Sequence, residues 1–201
     1  LDACRENIVK MGERLDYLAR FVNDMRKYAQ ASPTQRHRER IADVVEEART
    51  LALENLTARG FNPGVVEWNV CIPEGLTAEI ARHQIVMALN HLMGNAIESF
   101  EVLRDRTRPR RIEVRAQMLE GDDLELSVRD NGPGIHEDDL QEYLRFNPGR
   151  STKKSYGTGF GLPTAHRCAQ AHGGTMTIVS TVGEGTTVTI VIPAEAEDEE
   201  A

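Results

Sequence analysis

Between residues 5 and 30, apolar side chains recur at Ile8, Met11, Leu15, Leu18, Val22 and Met25, in steps of 3, 4, 3, 4 and 3. Charged residues fill much of the space between them. This is the pattern of one long helix with a heptad seam. Such a seam either packs on its own domain or joins neighbouring helices in a bundle, and about three heptads are the minimum for the second. We read it as a bundle face. The stretch ASPTQRHR (31–38) breaks the period, and Pro33 among polar residues marks a linker. A second helix follows, with Ile41, Val44, Val45, Ala48, Leu51, Ala52 and Leu56 on one face, ended by Gly60 and Pro63. From residue 64 the pattern alternates. VVEWNVCI reads as a strand, 78–103 as a helix with a Leu/Ile/Met face, and RRIEVRAQM and DLELSVRD as two strands across a turn at Gly121-Asp122. A short helix is predicted near 137–144, a glycine-rich stretch over 147–161 and a helix over 162–171. GTMTIVST and GTTVTIVIP form a closing hairpin around VGEG. Strands joined through turns, with helices between them, predict an α+β sandwich: a mixed, mainly antiparallel sheet covered by helices on one face, preceded by the long N-terminal helix.

Composition narrows the class. The chain has 201 residues, 40% apolar and 28% charged, which is globular. No apolar run approaches the ~20 residues of a membrane helix. Three cysteines without a C-x-x-C give neither a disulfide framework nor a zinc site, and a reducing, cytoplasmic setting is expected. The net charge is −8, but five acids (Glu195, Glu197, Asp198, Glu199, Glu200) lie in the last seven residues, leaving −3 for the rest. The acidity belongs largely to a tail, 194–201, and nucleic acid is not expected as a partner. A first residue of leucine points to a piece of a longer protein, whose other parts can hold a membrane anchor.

Four stretches carry possible chemistry. HLMGNAIES (91–99) puts His91, Asn95 and Glu98 at i, i+4 and i+7 of one helix face. An Asn in so apolar a helix faces either solvent or a ligand, and its carbonyl oxygen suits a Mg²⁺ ion already neutralised by phosphates. RDNGPGI (129–135) follows a strand directly. An Asp at its end can accept a hydrogen bond from an exocyclic amine, and Gly132 and Gly134 permit close approach of a flat base. The same residues also make an ordinary turn. FNPGRSTKKSYGTGFGL (146–162) runs through Gly149, Gly157, Gly159 and Gly161 into a helix start, where backbone N–H groups near Arg150, Lys153 and Lys154 favour phosphate. It lacks the spacing of a P-loop and can equally be a solvated loop. GEGTTVTIVIP (183–193) begins the last strand at Gly185 and Thr186, whose hydroxyl can reach a ligand.

The order and spacing of all four together are specific. Over about 41–193 the sequence resembles the GHKL ATP-binding superfamily, and within it the catalytic domain of bacterial sensor histidine kinases. HLMGNAIE matches the N box, DNGPGI the first glycine box, FNPGRSTKK the F box and lid, and GTGFGL the second glycine box. The resemblance implies ATP and Mg²⁺ as ligands. It implies that Asp130 binds the adenine amino group, with Gly132 and Gly134 shaping the base pocket, and that Asn95 holds Mg²⁺ across the phosphates. Arg150, Lys153 or Lys154 would contact phosphate. Gly157, Gly159, Gly161 and Leu162 would form the hinged lid and its exit, and Thr186 would lie near the adenine. ATP-hydrolysing relatives such as the gyrase B subunit carry a Glu four residues before the magnesium Asn, as a general base. Here that residue is His91, which can polarise a nucleophile or act as a supporting polar group, with Glu98 beside it. The departure favours a kinase over a hydrolase.

Residues 1–34 then resemble the second helix of the dimerisation and phosphoacceptor hairpin, with 35–193 as the ATP-binding domain. None of His37, His83, His91, His136, His166 or His172 has the sequence context of a phosphoacceptor. The resemblance therefore implies transfer of the γ-phosphate to a His outside this chain and then to a response regulator, in a homodimer formed through the helices. Autophosphorylation by this chain alone is doubtful. The alternatives are a nucleotide-binding signalling scaffold without phosphotransfer, and a GHKL protein-serine kinase of the anti-sigma type.

Overall fold

The structure is a computed structural model and describes residues 2–29, 35–58, 60, 62–103, 108–149 and 158–195. Helix α1 (Asp2–Ala29) and strand β1 (His37–Arg40) are followed by α2 (Ile41–Thr57), β2 (Val66–Cys71) and β3 (Thr77–Ile80). Then come α3 (Arg82–Ser99), β4 (Arg110–Met118), β5 (Asp123–Asp130), α4 (Glu137–Tyr143), α5 (Gly161–Ala171), β6 (Thr175–Thr181) and β7 (Gly185–Pro193).

Alternation along β4, β5 and β7 decides which face of the sheet is covered. Ile112, Val114 and Ala116, then Leu124, Leu126 and Val128, then Val188, Ile190 and Ile192 are all buried, while the residues between them are polar or partly exposed. Residues two apart share a face, so these rows form one apolar surface. The sheet has the order β2-β4-β5-β7-β6; β2 lies parallel to β4 and every other pair is antiparallel. Helices α2, α3 and α5 cover the apolar surface, with Ile85, Leu89, Met93 and Ile97 of α3 fully buried between them and the strands. The expected mixed, mainly antiparallel sheet with helices on one face is therefore what forms.

Two expectations need correction. Residues 37 and 38 belong to a strand rather than to the linker, and α3 does not begin at 78. His37–Arg40 and Thr77–Ile80 pair as a short antiparallel ribbon, His37 opposite Ile80 and Arg40 opposite Thr77. The sequence HRER hides its strand because its backbone is used while its side chains stay at the surface; Glu39 accepts from Arg82 Nη1 at 2.8 Å. On its partner, Ala78 and Ile80 point inward over only four residues, too short a run to separate from the helix that follows.

The turn between α5 and β6 is pinned by His172, 1% exposed. Its Nε2 accepts the Ala81 N–H (3.1 Å) and its Nδ1 donates to the Cys168 carbonyl (2.8 Å), which sets one neutral tautomer. Burial holds its pKa below the ordinary imidazole value, against the pull of the Cys168 carbonyl and with help from Arg36.

Helix α1 turns its heptad seam outward: Met11, Leu15, Leu18, Val22 and Met25 are 47–64% exposed. Among the described residues no helix is long and apolar enough to cross a membrane.

Candidate functional site

The ladder registers bring three polar side chains into a row. Asp130, the last residue of β5, lies opposite Thr186 at the start of β7, and Thr186 lies opposite Ser180 on β6. Asp130 occupies the inward phase of β5, where hydrophobic residues precede it, and is 6% exposed. A carboxylate there needs donors. Its Oδ1 accepts the Gly132 N–H at 2.7 Å, and the Ser99 hydroxyl, which donates to the Ala96 carbonyl (2.7 Å), lies 3.4 Å away. On the other side, the Ser180 hydroxyl accepts the Ile135 N–H (2.9 Å), donates to the Gly185 carbonyl (3.0 Å) and lies 2.9 Å from the Thr186 hydroxyl.

Both glycines after Asp130 are required by space. A Cβ on Gly132 would stand 2.3 Å from Ser99 Oγ and 2.6 Å from Asp130 Oδ1; one on Gly134, where φ is +70°, would stand 2.1 Å from the Thr181 carbonyl. Asn131, between Asp130 and Gly132, clamps the loop to β4, donating to the Pro109 carbonyl and accepting the Arg111 N–H, both at 2.8 Å. The loop is thus held from β4 and from the β6–β7 turn, where Gly183 N–H donates to the Pro133 carbonyl (2.7 Å).

Asp130, Gly134 and Thr186 form one end of a cleft of about 1440 Å³, larger than the usual small-molecule pocket. His91, Asn95 and Glu98 of α3 line its floor, as their spacing requires. The N-terminus of α5 closes over them: a Cβ on Gly161 would lie 3.4 Å from Asn95 Nδ2 and 3.6 Å from His91 Cβ. Gly159, Gly161 and Leu162 line the same cleft. Phe146 enters at φ +48° and stacks on His166 of α5, ring centroids 4.0 Å apart and 10° from parallel. Partial burial lowers the His166 pKa. The Gly149 N–H donates to the Gly159 carbonyl at 3.2 Å, tying together the ends of the glycine-rich segment. Arg150, Lys153, Lys154 and Gly157 lie outside the described residues. The structure thus brings His91, Asn95, Glu98, Asp130, Gly134, Gly159, Gly161, Leu162 and Thr186 around one space, with Gly132 just behind Asp130.

Three further lining residues, Arg20, Asn23 and Asp24, come from α1. The apolar seam of that helix singles out none of the three. The aromatic residues off the seam were the available signal. Phe21 meets Phe160 edge-on at 5.3 Å, and Tyr28 meets Phe160 at 5.8 Å and the Arg167 guanidinium at 5.0 Å.

Comparison with known proteins agrees with this geometry. Residues 81–196 match the family model described as histidine kinase-, DNA gyrase B- and HSP90-like ATPase. The chain is 32% identical over 149 residues to the histidine protein kinase DivJ of Caulobacter vibrioides, covering 73% of this chain and 24% of that protein. To the sensor histidine kinase WalK of Bacillus subtilis it is 32% identical over 129 residues, covering 62% of this chain and 20% of that protein. The crystal structure of full-length ShkA in complex with AMPPNP superimposes with a TM-score of 0.70 at 22% identity, covering 96% of this chain and 39% of that one. The chain spans about a quarter or less of the length of these curated relatives. By the extent of the family match, the chain belongs to the histidine kinase-, DNA gyrase B- and HSP90-like ATPases.

Proposed function

We propose that this chain is the ATP-binding catalytic region of a sensor histidine kinase. In this reading it passes the γ-phosphate of ATP to a histidine outside the chain, and a response-regulator aspartate is the next acceptor. The observation that carries the proposal is the row Asp130–Thr186–Ser180 at one end of the cleft, with the α5 N-terminus over Asn95 at the other. A buried carboxylate whose first oxygen is anchored by Gly132 suits an exocyclic amine, and Thr186 beside it suits a ring nitrogen. Gly132 lets the backbone close tightly behind Asp130, and Gly134 lines the cleft without a side chain, which suits a planar base. Backbone N–H groups at a helix start suit a polyphosphate.

Magnesium fits the same residues. Among the described residues there is no cluster of three His, Cys, Asp or Glu for a protein-built metal cage. Asn95 offers a hard oxygen in the cleft, which matches an ion held mainly by phosphate oxygens. When bound, Mg²⁺ supplies charge neutralisation to the phosphates. The chain's own residues then orient and shield. Asp130 and Thr186 fix the base, Asn95 and the α5 start fix the phosphate end, and Phe146 on His166 holds the entry to the glycine-rich segment. Phosphoryl transfer needs mainly positioning and charge stabilisation, so a His in place of a carboxylate base at position 91 is compatible with a kinase. His91, against Gly161, acts in this reading as a supporting polar group, with Glu98 about two turns further along the same face. The exposed seam of α1 supports a homodimer formed through helices.

The test is a calorimetric titration with a non-hydrolysable ATP analogue, with and without Mg²⁺. Binding strengthened by Mg²⁺ and weakened about 10- to 150-fold in Asp130→Ala is expected, the effect of losing a charged hydrogen bond. No binding by a folded wild type would overturn the reading.

A further inference from the structure

We propose that helix α1 is part of the nucleotide site and that Arg20 contacts the polyphosphate from it. This rests on the ATP reading above and extends it from the α/β domain to the helix.

Three observations carry it. First, α1 is seated on the cleft by contacts from one short stretch. Thr158 donates to the Asp24 carboxylate at 2.6 Å, Phe21 meets Phe160 edge-on, and Gly149 lies against the Phe21 ring, with 3.7 Å from its built Cβ to the nearest ring carbon. Tyr28 extends the seat, its carbonyl accepting from Arg167, whose guanidinium also covers the Tyr28 ring. The helix is thus held at both flanks of the glycine-rich segment, next to the α5 start.

Second, the face of α1 turned to the cleft is polar. Arg20, Asn23 and Asp24 follow the i, i+3, i+4 spacing of one helix face and all three line the cleft, while Leu18, Val22 and Met25 stay exposed on another. If the seam alone governed this helix, the polar face would be solvated on all sides.

Third, Arg20 brings a cation to an acidic part of the cleft, in addition to whatever the basic residues of 150–154 supply. Among the described residues lining the cleft, the acids are Asp24, Glu98, Asp130, Asp139 and Glu142, and Arg20 is the only Lys or Arg. A triphosphate brings more negative charge into that space than one Mg²⁺ ion neutralises. A guanidinium is suited to it: planar, always charged, and able to take phosphate oxygens in pairs. The Arg20 stem is already ordered through its Nε, which donates to the Asp16 carbonyl at 3.3 Å, one turn back. The terminal nitrogens are the part of the fork that meets phosphate. A consequence follows by linkage. If Arg20 adds affinity only while α1 is seated, nucleotide favours the seated helix, and displacement of α1 weakens nucleotide binding by the same factor.

The experiment uses the full 201-residue chain and calorimetry with Mg²⁺ plus AMPPNP, and with adenosine alone. The proteins are wild type, Arg20→Ala, Arg20→Lys, Phe21→Ala and Asp130→Asn. Arg20→Ala is expected to weaken AMPPNP binding by about tenfold or more while leaving adenosine unchanged. Arg20→Lys is expected to fall between, since it keeps charge but loses the fork. Phe21→Ala, which unseats the helix and retains Arg20, is expected to lower AMPPNP affinity selectively as well. Wild-type AMPPNP affinity in Arg20→Ala, alongside loss of binding in Asp130→Asn, would overturn the Arg20 assignment and leave the ATP reading standing. An equal loss for AMPPNP and adenosine would also overturn it, because a general disturbance of the cleft does not distinguish phosphate. A wild type that binds neither ligand would overturn the ATP reading, and this proposal with it.

Discussion

Asp130 and His172 are the two polar side chains buried among the described residues, and each is bonded to backbone groups. Asp130 stays at the cleft because Gly132 feeds one oxygen. His172 stays because it joins the Ala81 amide to the Cys168 carbonyl as a neutral ring. That neutrality makes it a source of acid sensitivity. Its folded pKa lies below the unfolded value of about 6.5. Between those two values the unfolded chain binds the proton that the folded one refuses, so stability rises with pH through that window. The contribution is complete above about pH 6.5 and declines as the pH falls below it. Urea midpoints measured near pH 7.5 and near pH 5 should therefore drop more for wild type than for His172→Gln, which keeps an acceptor for Ala81 and does not titrate. His166, also lowered by burial, adds a decline that both proteins share. Equal declines in the two proteins would remove His172 from the account.

At the scale of elements, the close approach of β5 and β7 is the most demanding contact near the site. Gly185 opens β7 at φ +126°, and a Cβ there would stand 2.0 Å from the Asp130 carbonyl, which is backbone and cannot move aside. Gly183, two residues earlier, has φ +83° but nothing within 4 Å. Gly185→Ala should therefore cost about 3 kcal/mol or more, and Gly183→Ala about 1 kcal/mol, read as urea midpoints. The same contrast explains what a sequence can disclose. The glycine stretches were legible because their function is local: a residue without Cβ is needed where a turn and a close approach coincide, and Gly132 and Gly134 lie in a strong turn sequence. β4, β5, β6 and β7 were legible because alternation persists over seven to nine residues. β1 and β3 were not. Four residues each give no period, and HRER uses only its backbone. The part of the cleft built by α1 was also hidden. Arg20, Asn23 and Asp24 acquire their role only when tertiary contacts seat the helix, and no periodicity encodes which polar face will be covered.

For the molecule as a whole, α1 has two unlike faces. One lines the cleft with Arg20, Asn23 and Asp24 and is seated beside it by Phe21 and Tyr28 on Phe160. The other leaves Met11, Leu15, Leu18, Val22 and Met25 in water along a single stripe. Scattered exposed apolar residues are common, but a continuous heptad stripe on a charged helix has the form of a helix–helix seam. Two such helices form only a narrow interface, so self-association should be weak and should grow with protein concentration. The double variant Leu15→Lys, Leu18→Lys places like charges in the centre of the stripe and should remain monomeric at concentrations where the wild type associates. Sedimentation velocity over a concentration series reads this directly. Because neither position lines the cleft, AMPPNP affinity should be the same in both proteins under conditions where both are monomeric. Association that persists in the double variant would place the interface elsewhere. A change in monomer affinity would mean that the two faces of α1 are not independent, and that disturbing the seam reaches the seat of Phe21 and Asp24.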